Sequence, residues 1–280
     1  ASVSVAFRPS QGLTFSPLAV TSDAGRTWRA GLIDAPVASV PDALAAGAGA
    51  MLALLGDGTI EQGGTAGAGW TRLAAPGAIA SSAAGRQCHV TSLTAVAYTP
   101  SGTPLAAASC ARPGTAGIFA RSGNTWQAPG PALGGALAAR QVTVLRLTGT
   151  AAGDIALLRA GAGGDASLLA AWTSDGTRWT VSASLAAGTG QVAASGTGSG
   201  GAAWVLLAGG RAYAVSGPGS AWRRLPAPPP GTAALAAGPG DAFEALAAAG
   251  ENLTVYQLSP AGDWRKAQAL TVPIQYGSSS

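Results

Sequence analysis

Six short turns that each end on a tryptophan recur along this chain, and their spacing constrains the fold more than any other feature. The six tryptophans are separated by 42, 56, 53, 43 and 42 residues. Repetition at such a period, in a chain of short β-like runs, indicates a radial repeat in which each unit is one small sheet. The fullest copy covers residues 21–28, a second covers residues 173–179, and weaker copies end at Trp70, Trp126, Trp222 and Trp264.

The residues of these turns have a local reason to close a hairpin. In the copy at 173–179, the carboxylate of Asp175 can accept hydrogen bonds from backbone N–H groups of its own turn, and Gly176 supplies a position with positive φ. Trp179 then begins the next strand and buries a large apolar ring between strands. Because these side chains close the turn by themselves, weaker copies of the turn can retain only small residues followed by tryptophan.

The stretch from residue 42 to residue 73 shows one repeat unit in full. It contains a small-residue strand at 42–47, an apolar strand at 51–55, a turn at 56–58, a third strand at 59–62 and, after Trp70, a fourth strand. Four strands with a small innermost one suit a blade whose inner edge converges on an axis. The sequence therefore predicts an all-β, six-bladed β-propeller of four-stranded antiparallel blades. We expect a single domain over 1–276, followed by a flexible tail at 277–280.

The two ends of the chain complement each other. The first repeat unit lacks an initial strand, whereas residues 271–276 at the other end have β composition left over. We therefore expect the ends to meet and close the ring, which would remove the exposed edges of the sheets.

Charge and composition exclude several classes of function. In 280 residues, 16 Lys and Arg stand against 12 Asp and Glu, which gives a net charge of +4. The arginines are scattered without a basic stripe, so nucleic-acid binding is not expected. No run of 18 apolar residues occurs, so no membrane span is expected. The single histidine is too few for a His-based zinc site, and we expect no metal and no cofactor.

Two cysteines, Cys88 and Cys110, lie in one repeat unit. An even number of cysteines in a loop-rich chain favours one disulfide and an oxidising compartment, and the alternative is two buried free thiols. The chain begins Ala-Ser-Val without methionine, which fits an exported product or a trimmed one. We therefore expect a secreted or cell-surface protein, and the composition rich in Ala, Gly and Arg is typical of a GC-rich bacterium.

Two of the turns resemble a known structural repeat. Ser22, Asp23, Gly25, Thr27 and Trp28 match the Asp-box, the repeat of bacterial neuraminidases. The second copy nearly matches it through Ser174, Asp175, Gly176 and Trp179. On this ground the chain is similar to sialidases and related β-propellers. In that family the Asp-boxes lie on the outer rim, so the resemblance implies a structural role for these residues.

The catalytic residues of that family have little counterpart in this chain. The family places an arginine in a Phe-Arg-Ile-Pro motif ahead of the first box, and Phe7-Arg8-Pro9 matches that motif in part. An active sialidase also needs two further arginines, an Asp acid and a Tyr–Glu pair. No such set stands in a family-like context here, so we assign no catalytic residue and retain Arg8 as a candidate for ligand binding. The Gly-rich run 196–201 lacks the ending of a phosphate-binding loop and is expected to be an exposed loop.

Three functions fit these observations. The first is a secreted, monomeric, non-catalytic propeller that binds a protein or a glycan on its ring face. The alternative is a sialidase-like glycoside hydrolase with carboxylates in the central funnel. The third is a structural module or assembly factor, as some Asp-box propellers are. The sparse ionisable side chains and the inner strands of Ala and Gly favour the first, because such strands cannot move protons.

Overall fold

The computed structural model describes most of the chain beyond residue 40. It covers the backbone of residues 3–6, 16–21 and 29–33, and residues 41–271 except 48, 65–68, 129, 151, 189, 199–200, 238–241 and 251. The predicted Asp-box at 22–28, the candidate Arg8 and the tail at 277–280 lie outside the described residues.

Short antiparallel strands make up five hydrogen-bonded sheets in the described part of the chain. One of them has nine strands and consists of two meanders that pair with each other, so we describe these two meanders separately, as the third and fourth of six sheets numbered in chain order. The first three are β1 (Val3–Ala6), β2 (Ser16–Thr21) and β3 (Arg29–Ile33); β4 (Ala43–Gly47), β5 (Ala50–Leu54), β6 (Ile60–Gly64) and β7 (Thr71–Ala74); and β8 (Val90–Tyr98), β9 (Pro104–Cys110), β10 (Gly117–Ser122) and β11 (Thr125–Gln127). The fourth is β12 (Val142–Thr150), β13 (Gly153–Ala160), β14 (Ser167–Thr173) and β15 (Thr180–Val181), with β16 (Leu185–Ala186) also paired to β14. The last two are β17 (Val192–Thr197), β18 (Ala203–Leu207), β19 (Ala212–Val215) and β20 (Arg223–Arg224), and β21 (Thr232–Ala237), β22 (Phe243–Ala249), β23 (Asn252–Leu258) and β24 (Trp264–Thr271).

Each sheet is an antiparallel meander in which consecutive strands pair. The predicted all-β class is therefore confirmed. The second, third, fifth and sixth sheets contain the predicted four strands, the fourth has the short β16 in addition, and the first contains three strands within the described residues. The third and fourth sheets are also joined directly, because Val142 of β12 pairs with Cys110 of β9. Ring closure by residues 272–276 falls outside the described part and stays a prediction.

From the second sheet to the sixth, the first strand of each sheet contacts the first strand of the next. The strand β4 contacts β8, β8 contacts β12, β12 contacts β17, and β17 contacts β21. These strands are rich in small residues, as in Ala-Leu-Ala-Ala-Gly of β4. Small side chains allow successive sheets to approach closely along this edge, which is the packing that a radial array of sheets needs.

The hydrophobic core lies in layers between consecutive sheets, and β9 shows how a strand serves two layers. Leu105 and Ala107 pack in the layer between the third and fourth sheets. Ala106 and Ala108 point the other way and pack in the layer between the second and third sheets. Because both faces are buried, the strand is a continuous apolar run and not an alternating one.

The Gly-rich run 196–201 differs from the expected exposed loop. Its first two residues belong to β17, and the turn begins only after them. The indole of Trp204 on β18 lies across Gly196, where a Cβ would come within 2.6 Å of the ring. The glycine thus makes room for a cross-strand tryptophan, a packing role that the sequence pattern does not distinguish from a loop.

The helix α1 (Ala83–Cys88) precedes the third sheet and was not predicted. It begins after Ser82, whose Oγ accepts a hydrogen bond from the Gly85 N–H at 3.0 Å. A Cβ at Gly85 would lie 1.9 Å from the carbonyl oxygen of Ile79, so the helix packs tightly on the preceding turn. It ends at His89, which has φ 54. Six residues with a central glycine give too little periodicity to reveal a helix.

The predicted disulfide between Cys88 and Cys110 is confirmed. It joins the last residue of α1 to the last residue of β9, with the two Cα atoms 5.2 Å apart. Both cysteines are buried in the layer between the second and third sheets. The cross-link therefore holds the helix against the third sheet, where the helix contacts β10 and β11. No helix in the described part of the chain is long and apolar enough to cross a membrane.

Candidate ligand-binding site between the fourth and fifth sheets

In the second to sixth sheets, the tryptophan turns lie where the sequence places them, between the third and fourth strands. The turn at 174–179 joins β14 to β15, and its counterparts in the fifth and sixth sheets join β19 to β20 and β23 to β24. The Asp-box at 22–28 falls between β2 and β3 and lies outside the described residues. In an antiparallel meander, these turns lie at the same end of the strands as the turns between the first and second strands.

The turn at 174–179 is closed by the Asp175 carboxylate. Its Oδ1 accepts hydrogen bonds from the backbone N–H of Arg178 at 2.8 Å and of Thr177 at 2.9 Å, and from the Thr173 hydroxyl at 3.1 Å. Its Oδ2 accepts a bond from Nε of Arg178 at 2.9 Å. These hydrogen bonds hold the pKa of Asp175 well below its usual range, and the bond from the Arg178 backbone N–H has the largest effect. Gly176 has φ +71, and Ser174 is exposed.

The tryptophans of these turns pack into the layers between sheets. Trp179 packs against the layer between the third and fourth sheets, and its Nε1 is buried without a hydrogen-bond partner. Trp222 and Trp264 instead donate Nε1–H to carbonyls that follow the last strand of the preceding sheet, Ala183 at 3.1 Å and Pro226 at 3.3 Å. The geometry fits the expected structural role, which stays a prediction until these residues are changed.

A cavity of about 460 Å³ lies between the fourth and fifth sheets at this end of the strands. We call it the interblade cavity. Two turns of the fourth sheet, at 150, 152–153 and at 174–178, face two turns of the fifth sheet, at 201 and 216–218. The lining residues used below are Asp154, Trp172, Thr173, Asp175, Arg178 and Ser216.

Asp154 is the unusual residue of the interblade cavity. It is the second residue of β13, where it pairs with Gly149 and Thr173 of the neighbouring strands. Only 3% of its surface is exposed, and Oδ1 is buried without a hydrogen-bond partner. Burial raises the pKa of Asp154 to about 6. A buried carboxylate that no donor satisfies is costly and is rare in folded proteins unless it has a functional reason.

Sequence reasoning missed Asp154, because it follows a glycine at a turn and therefore looks like an ordinary turn residue. One signal could have revealed it. The apolar run Ile155-Ala156-Leu157-Leu158 begins immediately after it, so the carboxylate lies inside a buried strand and not in the loop before it.

The other charges of the interblade cavity compensate each other. Asp175 forms an ion pair with Arg178 at 2.9 Å, and the Arg178 side chain is 91% exposed. Asp154, Asp175 and Arg178 are the charged residues among those that line the cavity, so its lining carries a net charge of −1 when Asp154 is ionised. This charge is located on the buried carboxylate.

Trp172 links the fourth sheet to the fifth at one wall of the interblade cavity. The indole Nε1–H of Trp172, on β14, donates to the carbonyl of Gly201 at 2.7 Å. Trp172 and Trp222 also pack against the small apolar cluster of Ile155, Ala170, Ala203 and Val215. Trp172 therefore joins the two sheets at this wall of the cavity, and binding sites of this kind combine an apolar wall with a few polar groups.

The first strands of the sheets differ from the interblade cavity in their ionisable side chains. The described first strands of the second to sixth sheets contain no Asp or Glu. Arg146 of β12 is exposed, and its Nε donates to Oγ of Ser195 on β17 at 3.3 Å. In the described part of the chain, no three His, Cys, Asp or Glu side chains are grouped as metal ligands.

Comparison by sequence finds no matching family model and no matching curated protein. The resemblance to the Asp-box family therefore stays a prediction.

Comparison by structure shows the fold. YCF48 bound to D1 peptide is 16% identical with a TM-score of 0.53, over 89% of this chain and 75% of that one. The periplasmic gluconolactonase of Pseudomonas aeruginosa is 13% identical with a TM-score of 0.53, over 97% of this chain and 82% of that one. A lectin of Aleuria aurantia, in complex with Fucα1-6GlcNAc, is 14% identical with a TM-score of 0.50, over 99% of this chain and 94% of that one. These proteins are β-propellers, and this chain shares their fold.

Proposed function

We propose that this protein is a non-catalytic binding module, a ring of six blades that works outside the cytoplasm. Its ligand is a glycan or a peptide segment of a protein, held on the face of the ring that carries the tryptophan turns. The interblade cavity is the binding site. We propose that the protein acts as a monomer.

The observation that carries this proposal is the unpaired, buried Asp154 in the wall of an open cavity. A carboxylate that no residue of the protein satisfies is available to a ligand, and a ligand donor would remove the penalty of its burial. The Trp172 indole beside it adds the flat apolar surface that sugar rings and peptide side chains pack against. A few polar groups in a largely apolar, pre-formed concavity are typical of a ligand site.

Two of the similar structures support keeping both classes of ligand. One is a lectin in complex with Fucα1-6GlcNAc, and the other is YCF48 bound to D1 peptide. Their likeness to this chain concerns the fold alone, so neither ligand transfers to it directly.

A blocking variant tests the binding site. Wild-type protein is applied to a glycan array and to a peptide array, and the strongest ligand is titrated by calorimetry. Ser216 is exposed at the cavity and has no side-chain hydrogen bond, so Ser216→Trp fills the cavity without removing a contact. We expect at least tenfold weaker binding. Ser122, exposed at the end of β10, provides the matched control Ser122→Trp, which leaves the affinity unchanged. The proposal would be refuted by the absence of binding on both arrays, or by equal affinities of the two variants for the ligand.

The absence of catalysis is tested separately. We expect no release of fluorophore from a fluorogenic sialoside or from common aryl glycosides by the purified protein. Turnover that is abolished by Arg8→Ala would instead support the glycoside hydrolase alternative.

The location is tested by thiol chemistry. The Cys88–Cys110 disulfide is compatible with an oxidising compartment. We expect protein taken from its native source under acid quench to resist alkylation until it is reduced. Two alkylated thiols without reduction would place the protein in a reducing compartment.

A further inference from the structure

We infer that the interblade cavity selects a ligand that carries a protonated amine, which donates its N–H groups to Asp154. This inference rests on the proposed function and names the chemical class of the ligand. The amine belongs either to an amino sugar or to a lysine side chain, and the two sources share the same ammonium chemistry.

The first step concerns what Asp154 lacks. Its side chain has no hydrogen bond or ion pair within the described residues, although it is 3% exposed. The backbone around it is occupied by the strand pairing of β12, β13 and β14. The carboxylate thus has no partner within the described residues, and the cavity that Asp154 lines is the side from which a ligand can approach it.

The second step concerns the charge of that partner. A neutral hydroxyl can satisfy a hydrogen bond, but it leaves an ionised carboxylate buried without a counter-charge. Arg178, the cation of the cavity lining, is already engaged with Asp175 at 2.9 Å. The net charge of −1 on the lining therefore favours a cation and disfavours carboxylate, sulfate and phosphate ligands.

The third step concerns the shape of the cation. Trp172 lines the same cavity, and aromatic rings attract cations that approach their faces. Asp154 sits deep in the wall at the start of β13, where the flat fork of a guanidinium needs two accessible oxygens. Oδ1 is buried, so a compact ammonium on a flexible or ring-borne stem is the better fit.

Calorimetric titration at pH 7.0 tests the inference. The amines are glucosamine and Nα-acetyl-lysine amide, and each is paired with a neutral analogue, N-acetylglucosamine and Nα-acetyl-norleucine amide. We expect at least one amine to bind, with an affinity at least tenfold above that of its neutral analogue. The amine that binds identifies the source. Nα-acetyl-arginine amide is expected to bind more weakly than the lysine compound.

Substitution localises the effect. Asp154→Asn is nearly isosteric and removes the charge, so we expect at least a tenfold loss of amine affinity. Asp165, exposed in the loop at the other end of the β13–β14 hairpin, provides the matched control Asp165→Asn, which leaves the affinity unchanged. Melting temperatures of both variants confirm that they fold.

The pH dependence adds a readout that a structural role would not produce. Burial raises the pKa of Asp154 to about 6, so lowering the pH from 7.0 to 5.0 protonates it and weakens binding by about tenfold. The other charged groups facing the cavity are Asp175 and Arg178. Asp175 keeps its charge over this range, because hydrogen bonds lower its pKa.

Three results would overturn the inference. They are equal binding of the neutral analogues, unchanged amine binding by Asp154→Asn, and binding of Ca²⁺ that Asp154→Asn abolishes while neither amine binds. The proposed function fails differently. If Ser216→Trp abolishes binding of an array ligand that Asp154→Asn retains, the cavity is a binding site and only the ammonium assignment is wrong.

Discussion

At the scale of single residues, two carboxylates of the fourth sheet have opposite environments. Asp175 accepts four hydrogen bonds within its own turn, and these lower its pKa. Asp154 accepts none, and burial raises its pKa. Both line the same cavity. The first closes a turn by itself, whereas the second is stable only in so far as the surrounding packing tolerates it. Such a contrast separates a structural group from one that is available to a ligand.

The cost of the buried charge predicts how Asp154→Asn changes stability. The folded-state pKa of about 6 lies above the ordinary value of 3.8, so the folded protein favours the neutral acid. Stability linked to this group is present below pH 4 and is lost as pH rises through about 6. The uncharged amide avoids that loss. Denaturant unfolding should therefore show a variant more stable than wild type by about 1–3 kcal/mol at pH 7.5 and of equal stability at pH 4. Destabilisation at pH 7.5 would show that the carboxylate has a partner within the fold.

Trp179 provides a second prediction at this scale. Its ring packs between the third and fourth sheets, so Trp179→Ala should lower the free energy of unfolding by roughly 3–5 kcal/mol. Its Nε1 has no hydrogen-bond partner, so the control Trp179→Phe should cost only about 1 kcal/mol. Denaturant unfolding measures both. If the alanine variant keeps the wild-type midpoint, the ring is exposed and the structural assignment of the turn is wrong.

At the scale of elements, small residues on both faces allow a strand to lie between two sheets. The strand β9 presents Ala107 to the fourth sheet and Ala106 and Ala108 to the second, and all three are fully buried. Its end is cross-linked to α1 through Cys110. The spacing between neighbouring sheets is therefore set by methyl groups, which explains why a chain with so much alanine forms strands instead of helices.

Overpacking tests this explanation. Ala107→Leu adds three carbons at a fully buried position between two sheets, so we expect a loss of about 1–3 kcal/mol in the free energy of unfolding. Ala128, exposed just after β11, provides the control Ala128→Leu, which should change stability by less than about 0.5 kcal/mol. Both are measured by denaturant unfolding. Equal midpoints for the two variants would mean that the layer between the third and fourth sheets is loosely packed.

At the scale of the whole molecule, every described sheet from the second to the sixth shares a core layer with its neighbours. Sheets that share their cores in this way cannot lose one member without exposing the next. We therefore expect a single cooperative transition, with coincident curves for far-UV circular dichroism and tryptophan fluorescence and equal calorimetric and van't Hoff enthalpies. Two separated transitions would indicate that the chain is divided into independent domains.

The sequence predicted the elements of the fold better than it predicted the site. The tryptophan turns fall between third and fourth strands, because a turn closed by its own side chains is a local property. The helix α1 and the strand that contains Gly196 were missed, because a capped six-residue helix and a glycine under an indole are tertiary features. Asp154 was missed for the same reason. Its importance depends on burial and on a cavity made by two sheets that are distant in sequence.

The most direct test of the proposed function is a crystal structure of the protein grown with the strongest ligand from the arrays. We predict density for the ligand in the interblade cavity, with a nitrogen or oxygen donor within about 3 Å of the Asp154 carboxylate and the ligand packed against Trp172. Ligand density beside Arg146 on the first strand of the fourth sheet, with the interblade cavity holding only water, would contradict the proposal.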